Sequence, residues 1–385
     1  MNLILNNEGF KLCNILKILT LPLALCYSTL SFFLEEPLIN HERVADNVFS
    51  FQSDVYAQVN AGVIAGPNWA VVIDTLAYPE ETLAIREFVE QEFKVPVRYV
   101  INTHYHADHS WGNVFFPGAF VISSALCRKL LIERGRPSLD EARKQNSSIF
   151  RQVRIVLPHL TFDQGEVGLL VGKKTLKMLP LPGHSPDGIG VLVEEDRVLF
   201  SGDVMMPLPY LVDGSIDQME TSLRSMLKMG LENIIQGHGD IVLRGEIDGA
   251  IEDNLKYLGK IRKVAQDAST RRFPLDLLER VSVQSCGKSR VLIGGLAEDL
   301  HQRNLIAVYR FLFGKNPIGS EEVHEDDLDG DFEEYEDEDY DEYEEAPVRV
   351  RDGYADDEEE GEEFERDEDT GVGFSSEEEF DDEEE

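Results

Sequence analysis

Cysteine is scarce in this 385-residue chain: Cys13 and Cys26 lie in an apolar N-terminal stretch, while Cys127 and Cys286 stand alone, and no CxxC occurs. This argues against a disulfide-stapled scaffold or a cysteine-based zinc module. Clustered basic residues are missing too. The net charge is −38, but residues 321–385 hold 37 Asp/Glu against three Lys/Arg (Arg349, Arg351, Arg366), so −34 belongs to a tail and −4 to everything before it. A near-neutral body with an acidic tail is the wrong footprint for nucleic acid, whose phosphates need grouped Lys and Arg.

Long apolar runs are absent with one exception. Residues 18–34 are apolar, interrupted by Pro22 and preceded by Lys11 and Lys17, as in a signal peptide or a short anchor. The run is short for a span. No A-x-A cleavage site follows it, and Leu25 is bulky where a lipoprotein box at 23–26 needs a small residue. A start codon set too early on a cytoplasmic protein reads the same way. The compartment is therefore open between cytoplasmic and exported, and a membrane is a partner only if residues 1–34 are an uncleaved anchor.

What is present reads as an α/β protein. A hydrophobic fraction of 42% can bury a real core. Residues 47–52 and 55–65 are short β-rich segments, and 70–74 (AVVID) is a continuous apolar run, as in a strand buried on both faces. Residues 80–93 have helical spacing and 97–102 (VRYVIN) form another strand, giving a βαβ signal. Strands follow at 119–123, 175–181, 189–194, 197–201 and 233–236, with helices at 124–145 (broken near 135–137), 219–228, 247–268 and 297–313. From 316 onward the acidic chain with scattered Tyr and Phe cannot bury enough surface to fold alone. The organisation expected is an apolar segment 1–34, a core 44–246, a helical extension 247–315 and a disordered acidic tail 316–385.

Chemistry concentrates at strand ends. Thr103-His104-Tyr105-His106-Ala107-Asp108-His109 begins where strand 97–102 stops. His104 and His106 are two apart, so an extended backbone aims both rings to one side. His184 follows strand 175–181 in LPGHSP, Asp203 follows 197–201 in FSGD, and His238 follows 233–236 in GHG. Singly, His184 reads as a turn residue, Asp203 as a strand-end cap and His238 as a surface histidine. Together they sit at strand C-termini, where open α/β sheets place their sites. Imidazole and carboxylate without thiolate suit zinc, iron or manganese.

The order HxHxDH, Gly-His-Ser, Gly-Asp, Gly-His-Gly resembles the metallo-β-lactamase superfamily, over roughly residues 44–313. The resemblance implies a four-layer αββα sandwich with two metal ions, zinc first, at one edge between the sheets. It implies His104, His106 and His184 on the first metal, Asp108, His109 and His238 on the second, and Asp203 bridging both. Asp74, closing AVVID, corresponds to the family's strand-end aspartate that orients the HxHxDH loop. Antibiotic-hydrolysing members replace the bridging Asp by Cys or Ser, so Asp203 points toward the thioesterase and lactonase branches. His106 stands where the flavo-diiron branch has Glu.

The implied reaction is attack of a metal-bridging hydroxide on an ester, thioester, lactone or amide carbonyl of a small molecule. Asp108 is the catalytic residue that orients it and shuttles its proton. Tyr105 and Trp111, flanking the ligand loop, and Tyr210, in the apolar run 205–211, are the pocket residues. The basic residues of the helical extension, Lys256, Lys260, Arg262, Lys263, Arg271 and Arg272, would favour an anionic substrate, but a solvated helix face is the plainer reading. Two other readings remain: a mononuclear iron persulfide dioxygenase, and a metal-stabilised domain presenting the acidic tail to a basic partner.

Overall fold

The computed structural model describes residues 39–211 and 213–319, so the apolar segment 1–34 and the acidic stretch 321–385 lie outside the described residues. The first half of the chain builds one sheet from β1 (Asn40–Ala45), β2 (Val48–Gln52), β3 (Asn60–Ala65), β4 (Ala70–Ile73), β5 (Val97–Ile101), β6 (Phe120–Ser124) and β7 (Leu160–Phe162), in that spatial order. β1 to β4 pair antiparallel, and β4 to β7 pair parallel. The parallel crossovers carry α1 (Pro79–Phe88), α2 (Ala107–Ser110), α3 (Ala125–Leu130), α4 (Arg136–Gln145) and α5 (Ser147–Phe150). The second sheet runs β13-β12-β11-β10-β9-β8, from β8 (Val167–Val171), β9 (Lys174–Pro180), β10 (Ile189–Val193), β11 (Val198–Gly202), β12 (Asn233–Gln236) and β13 (Val242–Leu243). α6 (Ile216–Met226) links β11 to the parallel β12, and α7 (Ile247–Ser269), α8 (Pro274–Leu278) and α9 (Ala297–Phe313) follow.

The layers follow from the period of two along each strand. In β4, Val71 and Ile73 point between the sheets, where they meet Met178, Val191, Val198 and Phe200. Ala70 and Val72 turn the other way, onto Ile85 and Val89 of the first helical segment. On the second sheet Leu199 and Ile234 face outward, onto Met219 and Leu223 of α6 and Ile251 and Leu258 of α7. Helix, sheet, sheet, helix is the four-layer αββα sandwich expected. α9 contributes Leu305 and Val308 to that same outer cluster, so the helical extension continues the core. No described helix is long and apolar enough to cross a membrane.

Some boundaries differ from expectation. The strand read at 55–65 starts only at Asn60. Ser53 Oγ accepts from the amides of Val55 (3.2 Å) and Tyr56 (2.9 Å), and Ala57 and Gln58 sit at φ 47° and 53°, so a capped loop occupies the first half. The break in helix 124–145 is a single wide π-helical turn at Leu131–Gly135. Pro137 then falls in the first turn of α4, where its missing N–H costs nothing. β1, β7, β8 and the two-residue β13 were not anticipated; each lies at a sheet edge, where exposed residues break the apolar pattern.

Candidate metal centre

Five strands deliver the site at their C-terminal ends: β4 ends before Asp74, β5 before Thr103-His104, β9 before His184, β11 before Asp203 and β12 before His238. Asp108 and His109 lie on the short helix α2, directly after the extended His106. Two glycines allow the convergence. Gly202 holds φ 54°, and a Cβ there would meet the Thr103 side chain at 2.8 Å. A Cβ on Gly237 would lie 1.8 Å from Asp203 Oδ1, so only glycine lets β12 pass this close.

The donors form two groups, each with its ligand atoms within 4.8 Å: His104, His106, His184 and Asp203, and then Asp108, His109 and His238. Asp203 lies between them. Its Oδ1 is 3.1 Å from His109 Nε2, and its Oδ2 is 3.3 Å from both His184 Nε2 and His238 Nε2. His104 Nε2 is 3.8 Å from the same Oδ2, and Asp108 Oδ2 is 3.3 Å from His238 Nε2.

Outer hydrogen bonds set which nitrogen each ring presents. His109 Nδ1 donates to Asp74 Oδ2 (2.8 Å), His184 Nδ1 to the Tyr210 carbonyl (2.6 Å) and His238 Nδ1 to the Ala57 carbonyl (2.8 Å). His104 Nδ1 lies 3.0 Å from Thr103 Oγ1, whose own proton goes to Asp74 Oδ2 at 2.7 Å. These four rings present Nε2 to the centre. His106 is reversed, with Nδ1 2.9 Å from the Nε2 atoms of both His104 and His184, and Nε2 turned outward, 3.9 Å from Asp213 Oδ1.

A cation fits this arrangement. With their protons on the outer nitrogens, neutral His104 and His184 each set a lone pair 2.9 Å from that of His106 Nδ1, which is repulsive unless a shared positive charge sits among them. His109 Nε2 and Asp203 Oδ1 are buried 3.1 Å apart and make no well-aligned hydrogen bond. The donor set, nitrogen and carboxylate oxygen, is that of a zinc, iron or manganese site. Burial holds His104 well below the ordinary histidine range, His184 below it, and His106 at about 3, so all three are neutral at physiological pH, as a metal ligand must be. Burial alone would also lower His109 and His238, but the Asp203 and Asp108 carboxylates outweigh it, raising His109 strongly and His238 to about 10. Burial pushes Asp108 up, yet His109 and His238 bring it down to about 2.

Of the sequence-derived pocket residues, Tyr210 lines the cavity over the donors, together with Tyr56 and Met206. Tyr105 and Trp111 do not. Tyr105 is 8% exposed, packs with Cys127, Leu130 and Leu131, and its hydroxyl donates to Asp213 Oδ2 at 3.0 Å. Trp111 packs with Phe115, Leu139 and Val153. Both flank the motif in sequence, but the turn into α2 sends their rings into the core.

Three positioning residues were missed. Asn102 Nδ2 donates to the His109 carbonyl at 2.8 Å, Asp187 Oδ2 accepts the Tyr105 amide at 2.8 Å, and Asp213 faces His106. Asp187, three residues beyond His184, was visible as an acidic neighbour of the motif; nothing local flagged Asp213.

Comparison with known proteins agrees with this geometry. The profile described as the metallo-beta-lactamase superfamily matches residues 56–268. The Beta-lactamase-like protein 2 homolog of Caenorhabditis elegans is 26% identical over 173 residues, 44% of this chain and 52% of that protein. Thioesterase pkgB of Emericella nidulans is 23% identical over 187 residues, 48% of this chain and 46% of that protein. The matches thus span about half the length of these curated relatives. Among solved structures, the sec-alkylsulfatase Pisa1 from Pseudomonas sp. superposes with a TM-score of 0.57 at 16% identity, covering 72% of this chain and 50% of that one.

Proposed function

The chain belongs to the metallo-β-lactamase superfamily, and from that premise we propose that it is a zinc-dependent hydrolase with two metal ions, acting on an ester, thioester, lactone or amide carbonyl of a small molecule. One observation carries the two-metal reading: Asp203 stands between two complete donor groups, with Oδ1 toward His109 and Oδ2 toward His184 and His238. Metal ions held there supply a Lewis acid and lower the pKa of water toward neutrality.

The chain's own groups do the rest. Asp108 lies at the floor of the cavity and is ionised at neutral pH, so it can orient an attacking water and accept its proton. Asp74 and the Tyr210 and Ala57 carbonyls hold His109, His184 and His238 with Nε2 inward. Retention of Asp203, rather than Cys or Ser, and similarity to a protein named a thioesterase favour thioester or ester hydrolysis over β-lactam opening.

The test is metal analysis of the purified protein, paired with hydrolysis of a thioester, lactone, ester and β-lactam panel by wild type and Asp108→Ala. Two zinc ions per chain and turnover of one compound, lost in the variant, are expected. One iron per chain with a silent panel would overturn the reading in favour of oxygen-dependent sulfur chemistry.

A further inference from the structure

The cavity above the donors, about 470 Å³, has two chemically different sides. Its floor is the polar cluster. Its facing wall comes from the C-terminal helical segment: Ile293, Leu296 and Leu300, joined by Met206. Leu296, Leu300 and Arg303 recur at i, i+4 and i+7, so one stripe at the start of α9 carries both apolar surface and a guanidinium to the cavity.

Several basic residues around the helical extension are held by acidic partners. Arg262 pairs with Asp217 and Glu220, Lys256 with Glu252 and Asp253, and Arg290 with Glu298. Arg303 makes no salt bridge among the described residues; its Nη1 reaches only the Tyr210 hydroxyl, at 3.5 Å. No other Lys or Arg among the described residues lines the cavity. The wall is also built at a cost. Ile293 is 2% exposed yet held at φ 53°, a left-handed conformation that β-branched residues avoid, ahead of Gly294 and Gly295 at φ 61° and 92°. Strain of this kind persists where surrounding structure enforces it, and it clusters at ligand sites.

Resting on the hydrolase reading, we propose that the natural substrate is an anionic acyl compound: the acyl part packs on Ile293, Leu296 and Leu300, and a carboxylate or phosphate pairs with Arg303. A guanidinium offers either anion two parallel donors, and Arg303 is exposed and free to take one up. Arg303 touches no reacting atom; it sets specificity.

Two matched assays test this on the full chain. In the first, the metal-loaded protein is given para-nitrophenyl octanoate and the para-nitrophenyl monoester of octanedioic acid. The anionic ester is expected to have kcat/KM about tenfold higher, the scale of one charge-assisted hydrogen bond. Arg303→Met erases that preference, Arg303→Lys restores part of it, and Lys263→Met, an exposed site away from the cavity, keeps it. In the second, calorimetry follows octyl phosphate, octanoate and octanol binding to the metal-free protein. Both anions are expected to bind more tightly than octanol, Arg303→Met removes the difference, and the tighter anion identifies the source. A preference unaltered by Arg303→Met, or no preference in the binding assay, overturns the proposal. Silent esters with Arg303-dependent anion binding remove only the hydrolase reading.

Discussion

Asp74 and His109 share a 2.8 Å hydrogen bond, from the ring Nδ1 to the carboxylate, through which the end of β4 orients a donor on α2. The same carboxylate accepts the Thr103 amide at 2.8 Å and the Thr103 hydroxyl at 2.7 Å, so one buried charge ties down both ends of the ligand loop. Asp74 sits at φ 55°, which Asp and Asn tolerate. Asp74→Asn therefore keeps the backbone and removes the charge. We expect it to fold and to bind metal roughly 10- to 100-fold more weakly, the usual effect of losing an outer partner of a ligating histidine. Competition with a chelator measures this, and unchanged affinity would remove Asp74 from the site.

Asp213 holds the opposite side. Tyr105 donates to it at 3.0 Å and Arg134 forms an ion pair with it, while its Oδ1 has no hydrogen-bond partner and faces His106 Nε2. Because His106 alone turns Nδ1 inward, its Nε2–H points outward, and the Asp213 carboxylate faces it at 3.9 Å. Asp213→Ala should weaken metal binding by about tenfold or more, with Tyr105→Phe producing a smaller loss, since it removes only a tether. Chelator competition again gives the answer. Equal affinities for all three proteins would mean that His106 is held by packing.

The ligand loop was legible in sequence because its chemistry is local: His104, His106, Asp108 and His109 occupy six residues after one strand. The groups that aim those donors were not. Asp187 is 82 residues from the Tyr105 amide that it holds, and Asp213 is 108 residues from the Tyr105 hydroxyl. Pairings at that range are set by how the sheets stack, which no spacing records. The same contrast runs through the fold. β4 was read because all four of its residues are buried, leaving an unbroken apolar run. β7 is three residues long with two of them exposed, so nothing in its composition separates it from a loop. Tyr105 and Trp111 show the limit within a motif: flanking position does not say which way a ring points.

Packing between the sheets is tight enough to test at one glycine. A Cβ on Gly62 of β3 would lie 2.1 Å from Cε1 of Phe200, on β11 of the other sheet. Gly62→Ala should cost about 1–3 kcal/mol by overpacking. The double variant Gly62→Ala/Phe200→Leu should recover part of this by freeing the space that the ring fills. Urea denaturation of the wild type, both single variants and the double variant closes the cycle. Additive losses would place the clash elsewhere.

Lys288 gives the stability curve a pH-dependent slope. Its ammonium donates to Asn254 Oδ1 at 2.6 Å, while Asn254 also donates to the Met206 carbonyl at 2.9 Å, behind the loop that follows Asp203. Burial lowers Lys288 from 10.5 to about 8, with Asp253 opposing the shift. Below about 8 both the folded and the unfolded chain hold the proton, so the cost of burying the charge is fully present. Between the two values the unfolded chain binds a proton that the folded chain has released, so this group's contribution makes stability rise with pH across that window. Replacing the amine removes the slope. The stability gap of Lys288→Met relative to wild type should therefore shift in favour of wild type between about pH 7 and about pH 10, whatever its absolute size. Urea midpoints for both proteins at the two pH values decide it, and a gap that does not change with pH would mean that the amine is solvated in the folded chain.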